Sequence, residues 1–258
     1  MRLDKFLAEA ALGTRSDVRN LVKEGKVTVN DIVIKEPAAE INENKDTINY
    51  LGKKMIHPGN RYYMFHKPSG CISATKDVKE KTVLDYFAAD TAIGLFPVGR
   101  LDKDTEGLLL LTNDGEFGHR LMHPDKHVEK TYFFWAFGTL EEEERKHLTT
   151  GVIIGKEEAL AKSNYIMVES EGTLKEYKNK MDFVNLKTIK VRDDNQRVVS
   201  GYITITEGRK HQVKRMLKAV GCYVVYLKRI SIGELKLDES LAKGQYRELA
   251  ETELILLK

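Results

Sequence analysis

The sequence predicts an α+β protein whose main sheet is mixed and mostly antiparallel. Segments rich in β-branched and aromatic residues outnumber those with helical periodicity, and no regular strand–helix–strand rhythm appears. A His57-Pro58-Gly59-Asn60 cluster also divides the chain unevenly, which predicts a small unit over 1–58 and a larger one over 61–258. With 258 residues, 41% of them apolar, there is material for a core in each. The 42 basic and 39 acidic side chains nearly cancel, so only their distribution can reveal a polyanion partner. Cys71 and Cys222 form neither a metal spacing nor a disulfide framework, which fits a reducing cytoplasm. Residues 1–5 lack the apolar run of a signal peptide, and no stretch of about 18 apolar residues could span a membrane. The expected protein is cytoplasmic, without a membrane partner and, lacking a repeat or heptad seam, monomeric.

In the first unit, Leu3, Phe6, Leu7 and Ala10 fall at helical spacing up to Gly13, and Val18, Leu21 and Val22 repeat the pattern up to Gly25. Val27 and Val29, then Asn30-Asp31, then Ile32 and Ile34 predict a hairpin, and Ile48 with Tyr50 predicts a further strand. Arg2, Lys5, Arg15, Arg19, Lys23 and Lys26 punctuate the helix pair, against four acidic residues. By charge alone this is equally a pair of solvated faces. The runs Arg2-Leu3-Asp4-Lys5-Phe6-Leu7, Thr14-Arg15-Ser16 and Gly25-Lys26-Val27-Thr28-Val29-Asn30 resemble the S4 RNA-binding domain over roughly residues 1 to 50. That resemblance implies that Arg2, Lys5, Arg15, Arg19 and Lys23 face RNA phosphates.

In the second unit, residues 61–67 predict a strand ended by Pro68-Ser69-Gly70, and 82–89 a short helix. Leu108 to Leu111 read as a buried strand ending in a tight turn at Thr112-Asn113-Asp114-Gly115. Residues 116–122 predict a helix stopped by His123-Pro124, residues 130–139 an aromatic strand, and 141–148 a helix with an acidic start. The lysine-rich segment 170–197 predicts an extended hairpin or insertion, with Val184, Leu186, Ile189 and Val191 in alternation. A strand over 201–206, a helix over 210–220 and a strand over 222–227 follow.

Between Arg209 and Arg229 lie seven basic residues and no acidic one, interleaved with Tyr223 and Tyr226, which predicts a polyanion footprint. His119, His123 and His127 are four apart, but Pro124 breaks the helix that would align them, so no metal site is expected. Asp102, in the glycine-flanked loop before the leucine strand, is a candidate reactive group or a structural cap. The pair Asp102 and Asp104 also raises an Mg²⁺-dependent phosphatase reading, weakened by Pro97 and Gly99, which break the preceding strand.

Gly99-Arg100-Leu101-Asp102, followed by Thr105 and Gly107 to Gly115, closely resembles the catalytic signature of pseudouridine synthases. Lys67-Pro68-Ser69-Gly70, Lys130-Thr131-Tyr132 and Glu207 to Met216 resemble three further motifs of that family, in the expected order. The resemblance implies Asp102 as nucleophile, Tyr132 stacked on the uracil, and Lys214 paired with Asp102 where many relatives carry arginine. Arg100, Arg209, Lys210, His211, Gln212 and Arg215 are then expected on the RNA substrate. No cofactor is needed, because substrate and product are isomers. With the N-terminal domain, the chain is similar to the branch acting on small-subunit (16S) ribosomal RNA. A large-subunit (23S) substrate and a non-catalytic ribosome-assembly role are the alternatives. Cys71 has no expected role.

Overall fold

The computed structural model describes residues 1–155, 159–177 and 193–257. Two sheets are built, one on each side of the 57–60 cluster. The first packs α1 (Leu3–Glu9) and α2 (Arg15–Lys23) on a four-stranded antiparallel sheet of order β2-β1-β3-β4. Its strands are β1 (Val27–Val29), β2 (Ile32–Val33), β3 (Ile48–Tyr50) and β4 (Lys53–Lys54). Thr14 and Asp17 exchange hydrogen bonds as a capping box that starts α2. Asn30 and Asp31 both take positive φ (50° and 63°), the turn whose twist suits a two-residue hairpin. Leu3, Leu7, Val18, Val22, Val27 and Ile48 close a core with essentially no exposed surface.

The second sheet has nine strands among the described residues: β5 (Tyr62–Lys67), β6 (Phe96–Val98), β7 (Glu106–Thr112), β8 (Lys130–Phe137), β9 (Tyr165–Thr173), β10 (Arg197–Ile205), β11 (Tyr223–Ile232), β12 (Leu235–Lys236) and β13 (Tyr246–Glu248). The main path runs β13-β5-β7-β11-β8-β10-β9, with β6 on β7 and β12 on β11. Every pairing is antiparallel except β7 with β11, so the sheet is mixed and the fold α+β, as its sequence predicts. Among the described residues six α-helices decorate it: α3 (Ala89–Ala92), α4 (Gly115–Met122), α5 (Glu142–Thr150), α6 (Leu174–Tyr177), α7 (Gln212–Ala219) and α8 (Glu251–Ile255). Among the described residues no helix is long and apolar enough to cross a membrane.

The leucine run is uninterrupted because β7 is buried on both faces. Leu109 and Leu111 join Phe65, Tyr132, Phe134, Ile203 and α7's Val213 and Met216 on one side. Leu108 and Leu110 join Met64, α4's Phe117 and Leu121, and Ile232 on the other.

Several local expectations need correction. Asn113-Asp114-Gly115 is a helix start rather than a tight turn: Asp114 Oδ1 accepts from the Glu116 and Phe117 amides. Phe96–Val98 is a strand despite Pro97, because it lies at an edge where a missing N–H is tolerated. The expected 82–89 helix is a 3₁₀ turn over Val83–Tyr86 followed by α3. The helix expected from 210 begins at Gln212, because His211 sits in the left-handed region (φ 52°). Residues 170–173 belong to β9, paired along β10, while the alternating positions 184, 186, 189 and 191 lie outside the described residues.

Candidate active site

The loop between β6 and β7, residues 99–105, is irregular yet anchored at several points. Leu101 is buried, and its amide and carbonyl both engage Ser73 Oγ (3.0 and 2.9 Å). The Lys67 ammonium, fully buried, donates to the carbonyls of Thr105 (2.9 Å), Pro68 (3.1 Å) and Lys103 (3.3 Å). Burial pushes the Lys67 pKa down, so the three carbonyl acceptors support a charge that has lost its water. Gly107 then lets β7 meet β11: a Cβ there would stand 2.2 Å from the Arg229 carbonyl oxygen, and φ is +103°.

This anchoring brings Asp102 to a pocket shared with Arg100, Tyr132, His211, Gln212, Lys214 and Leu227. The Asp102 side chain keeps 25% of its surface open. Lys214 Nζ lies 3.2 Å from Oδ2, and His211 Nε2 lies 3.5 Å from Oδ1. Lys214 projects from the first turn of α7, whose Val213, Met216 and Leu217 are packed into the core. Tyr132, on the central strand β8, is buried among apolar neighbours with Ile203 and Arg229 opposite it in register. The three residues expected to act together therefore converge.

Sequence reasoning left Asp104 out of the site. Its Oδ1 accepts from Lys214 Nζ at 2.5 Å, shorter than the Lys214–Asp102 contact. Partial burial raises the Asp104 carboxyl, but the hydrogen bond and charge of Lys214 outweigh it and hold the group below the usual carboxylate range. Lys67 and Ser73 were also missed as loop anchors, since their contacts exist only once β5 and β7 have paired.

The other expected RNA contacts divide. Arg100, Lys210 and His211 are exposed at or beside the pocket. Arg209 donates to Glu207 (2.5 Å) and to the Ala159 and Leu160 carbonyls, and Arg215 to the Lys210 and Ile154 carbonyls. Gln212 is buried, its Oε1 accepting from the Arg209 amide. Arg229 is buried too, with Nε on the Leu108 carbonyl, so the 209–229 basic run is not one surface. In the first unit, Arg2, Arg15 and Arg19 gather around Asp4, which has no exposed surface. Lys5 lies 4.0 Å from Glu9, and Lys23 is exposed on α2. His119 and His123 pack ring to ring at 5.2 Å, and no group of three or more candidate metal ligands occurs among the described residues.

The fold, the anchored aspartate loop and the N-terminal unit coincide with two known families. Residues 61–219 match the RNA pseudouridylate synthase family and residues 1–46 match the S4 domain, and the chain belongs to the RNA pseudouridylate synthases. It is 42% identical over 258 residues to an uncharacterized RNA pseudouridine synthase of Bacillus subtilis, covering 100% of this chain and 98% of that one. It is 35% identical to ribosomal small subunit pseudouridine synthase A of Vibrio cholerae over 254 residues and of Haemophilus influenzae over 256. Each match covers 98% of both chains. A crystal structure of a pseudouridylate synthase superposes over the whole of both chains with a TM-score of 0.63 and 33% identity.

Proposed function

We propose that the protein converts a uridine of small-subunit ribosomal RNA to pseudouridine, with Asp102 as nucleophile. The observation that carries the chemistry is a partly open carboxylate, leaned on by Lys214, in the same pocket as Tyr132. The choice of RNA rests on the small-subunit enzymes that match it end to end.

The reaction breaks the bond from ribose C1′ to uracil N1, turns the base and joins C1′ to C5; the C5 hydrogen leaves as a proton to solvent and N1 takes up a proton, so the product is an isomer of the substrate. Asp102 attacks either C1′ or C6 and later leaves, which suits a carboxylate with an ammonium 3.2 Å away. Tyr132 stacks on the base and can move a proton. The pocket lies within a folded surface, so the uridine reaches it flipped from its helix, with Arg100 beside the gap it leaves. Residues 1–58 form the RNA-holding unit, through Arg2, Arg15, Arg19, Lys5 and Lys23, and 61–258 the catalytic one. The protein acts in the cytoplasm as a monomer. Incubating it with unmodified small- and large-subunit RNA, then mapping pseudouridine, tests the reading. One new site in small-subunit RNA is expected. A site only in large-subunit RNA overturns the substrate, and tight binding without pseudouridine overturns the enzyme.

A further inference from the structure

Lys214 stands where a guanidinium could have gripped Asp102 with two parallel hydrogen bonds. An ammonium has no such fork. It is a compact point charge on a four-carbon stem, and its place is set by whatever surrounds it. Here the closest anion to Nζ is not Asp102 but Asp104, at 2.5 Å against 3.2 Å. Asp104 is also a fixed reference point. Lys67 donates to the carbonyls of Lys103 and Thr105, the residues on either side of it, and the Thr105 amide donates to the Asp102 carbonyl. The backbone that carries Asp104 is thus pinned by the same strand contacts that pin Asp102.

We infer that Asp104 is a positioning residue: its carboxylate holds the Lys214 ammonium at one oxygen of Asp102, supplying the aim that a guanidinium would supply by its own shape. Asp104 itself touches no reacting atom. The inference rests on the reading of Asp102 as nucleophile, and it adds a residue to which that reading gave no part.

The test uses the full-length chain and tritium release from RNA labelled at uracil C5. Asp104→Asn is close to isosteric at a largely exposed side chain, so folding is expected to hold. It should lower kcat about tenfold, as expected when a catalytic group loses its aim, with KM within about twofold. In the Lys214→Arg background the same substitution should cost less than about threefold, because the fork now aims itself. An equal loss in both backgrounds, a change confined to KM, or no loss overturns the inference. Turnover surviving in Asp102→Asn overturns the nucleophile instead, whatever Asp104 does. A crystal structure of the Asp104→Asn protein decides independently of activity: Nζ should leave Asp102, and its staying at 3.2 Å overturns the positioning role.

Discussion

Residues 2–5 and residues 100–103 both read Arg-Leu-Asp-Lys. In each copy the leucine is buried, and there the likeness ends. The first copy opens α1. Asp4 is closed from solvent and receives Arg2 at 2.8 and 3.1 Å and Arg15 and Arg19 at 3.4 Å. Burial raises that carboxyl and the arginine hydrogen bonds outweigh it, so it is held below the usual range. The second copy lies in a loop. Arg100 points to solvent, and Asp102 meets one ammonium and one imidazole while a quarter of it stays open. A carboxylate enclosed by three guanidiniums organises a surface; one with a free face can attack. The four residues fix the anchor, and the surrounding elements decide which of the two results.

Breaking the second copy should have the largest effect. Asp102→Asn is expected to lower C5 tritium release by at least about a thousandfold with circular dichroism and RNA affinity unchanged. Breaking the first should do the reverse. Asp4→Asn leaves three guanidiniums without their shared anion, at about 2 kcal/mol. Amides of α1 and α2 should exchange about thirtyfold faster and RNA affinity should fall, while kcat at saturating RNA stays within about twofold.

Lys130 supplies a third kind of charge, buried with the Val128 and Thr206 carbonyls and, among the described residues, no carboxylate partner. Burial, helped by Arg229, pushes it down to about 8 from 10.5. Between those values the unfolded chain holds a proton that the folded chain has released, so stability rises with pH across that window. Lys130→Met should therefore be the more stable protein near neutrality, by on the order of 2 kcal/mol. Urea midpoints should show its advantage shrinking from pH 8 towards 10.5, and a constant gap would sink the idea. The smallest effect separates surface from internal arginines. Arg19→Ala should reduce the salt slope of RNA binding by about one. Arg215→Ala, whose guanidinium serves two backbone carbonyls, should leave the slope unchanged.

Much of this was legible from residue order. The leucine run, the aromatic β8 and the Asn30-Asp31 hairpin are local patterns, and the motifs single out Asp102, Tyr132 and Lys214, which line one pocket. What escaped was tertiary. β4 and β13 are too short to show a period, and β6 forms around a proline only because β7 offers an edge partner. Asp104 and Lys214 are 110 positions apart and meet only when α7 docks beside the loop. The ring of arginines on Asp4 likewise needs α2 laid against α1, so charges read as a free RNA-facing row are exposed arginines that share one buried carboxylate.

The buried Lys67 has a thermal consequence. Charged groups lose hydration free energy as temperature rises, so the penalty for keeping an ammonium away from water shrinks on warming. The tether that suspends the aspartate loop from β5 is thus a contact whose relative standing improves with heat. The loop should keep its shape up to the cooperative unfolding of the sheet, and turnover should climb with temperature until that sheet gives way.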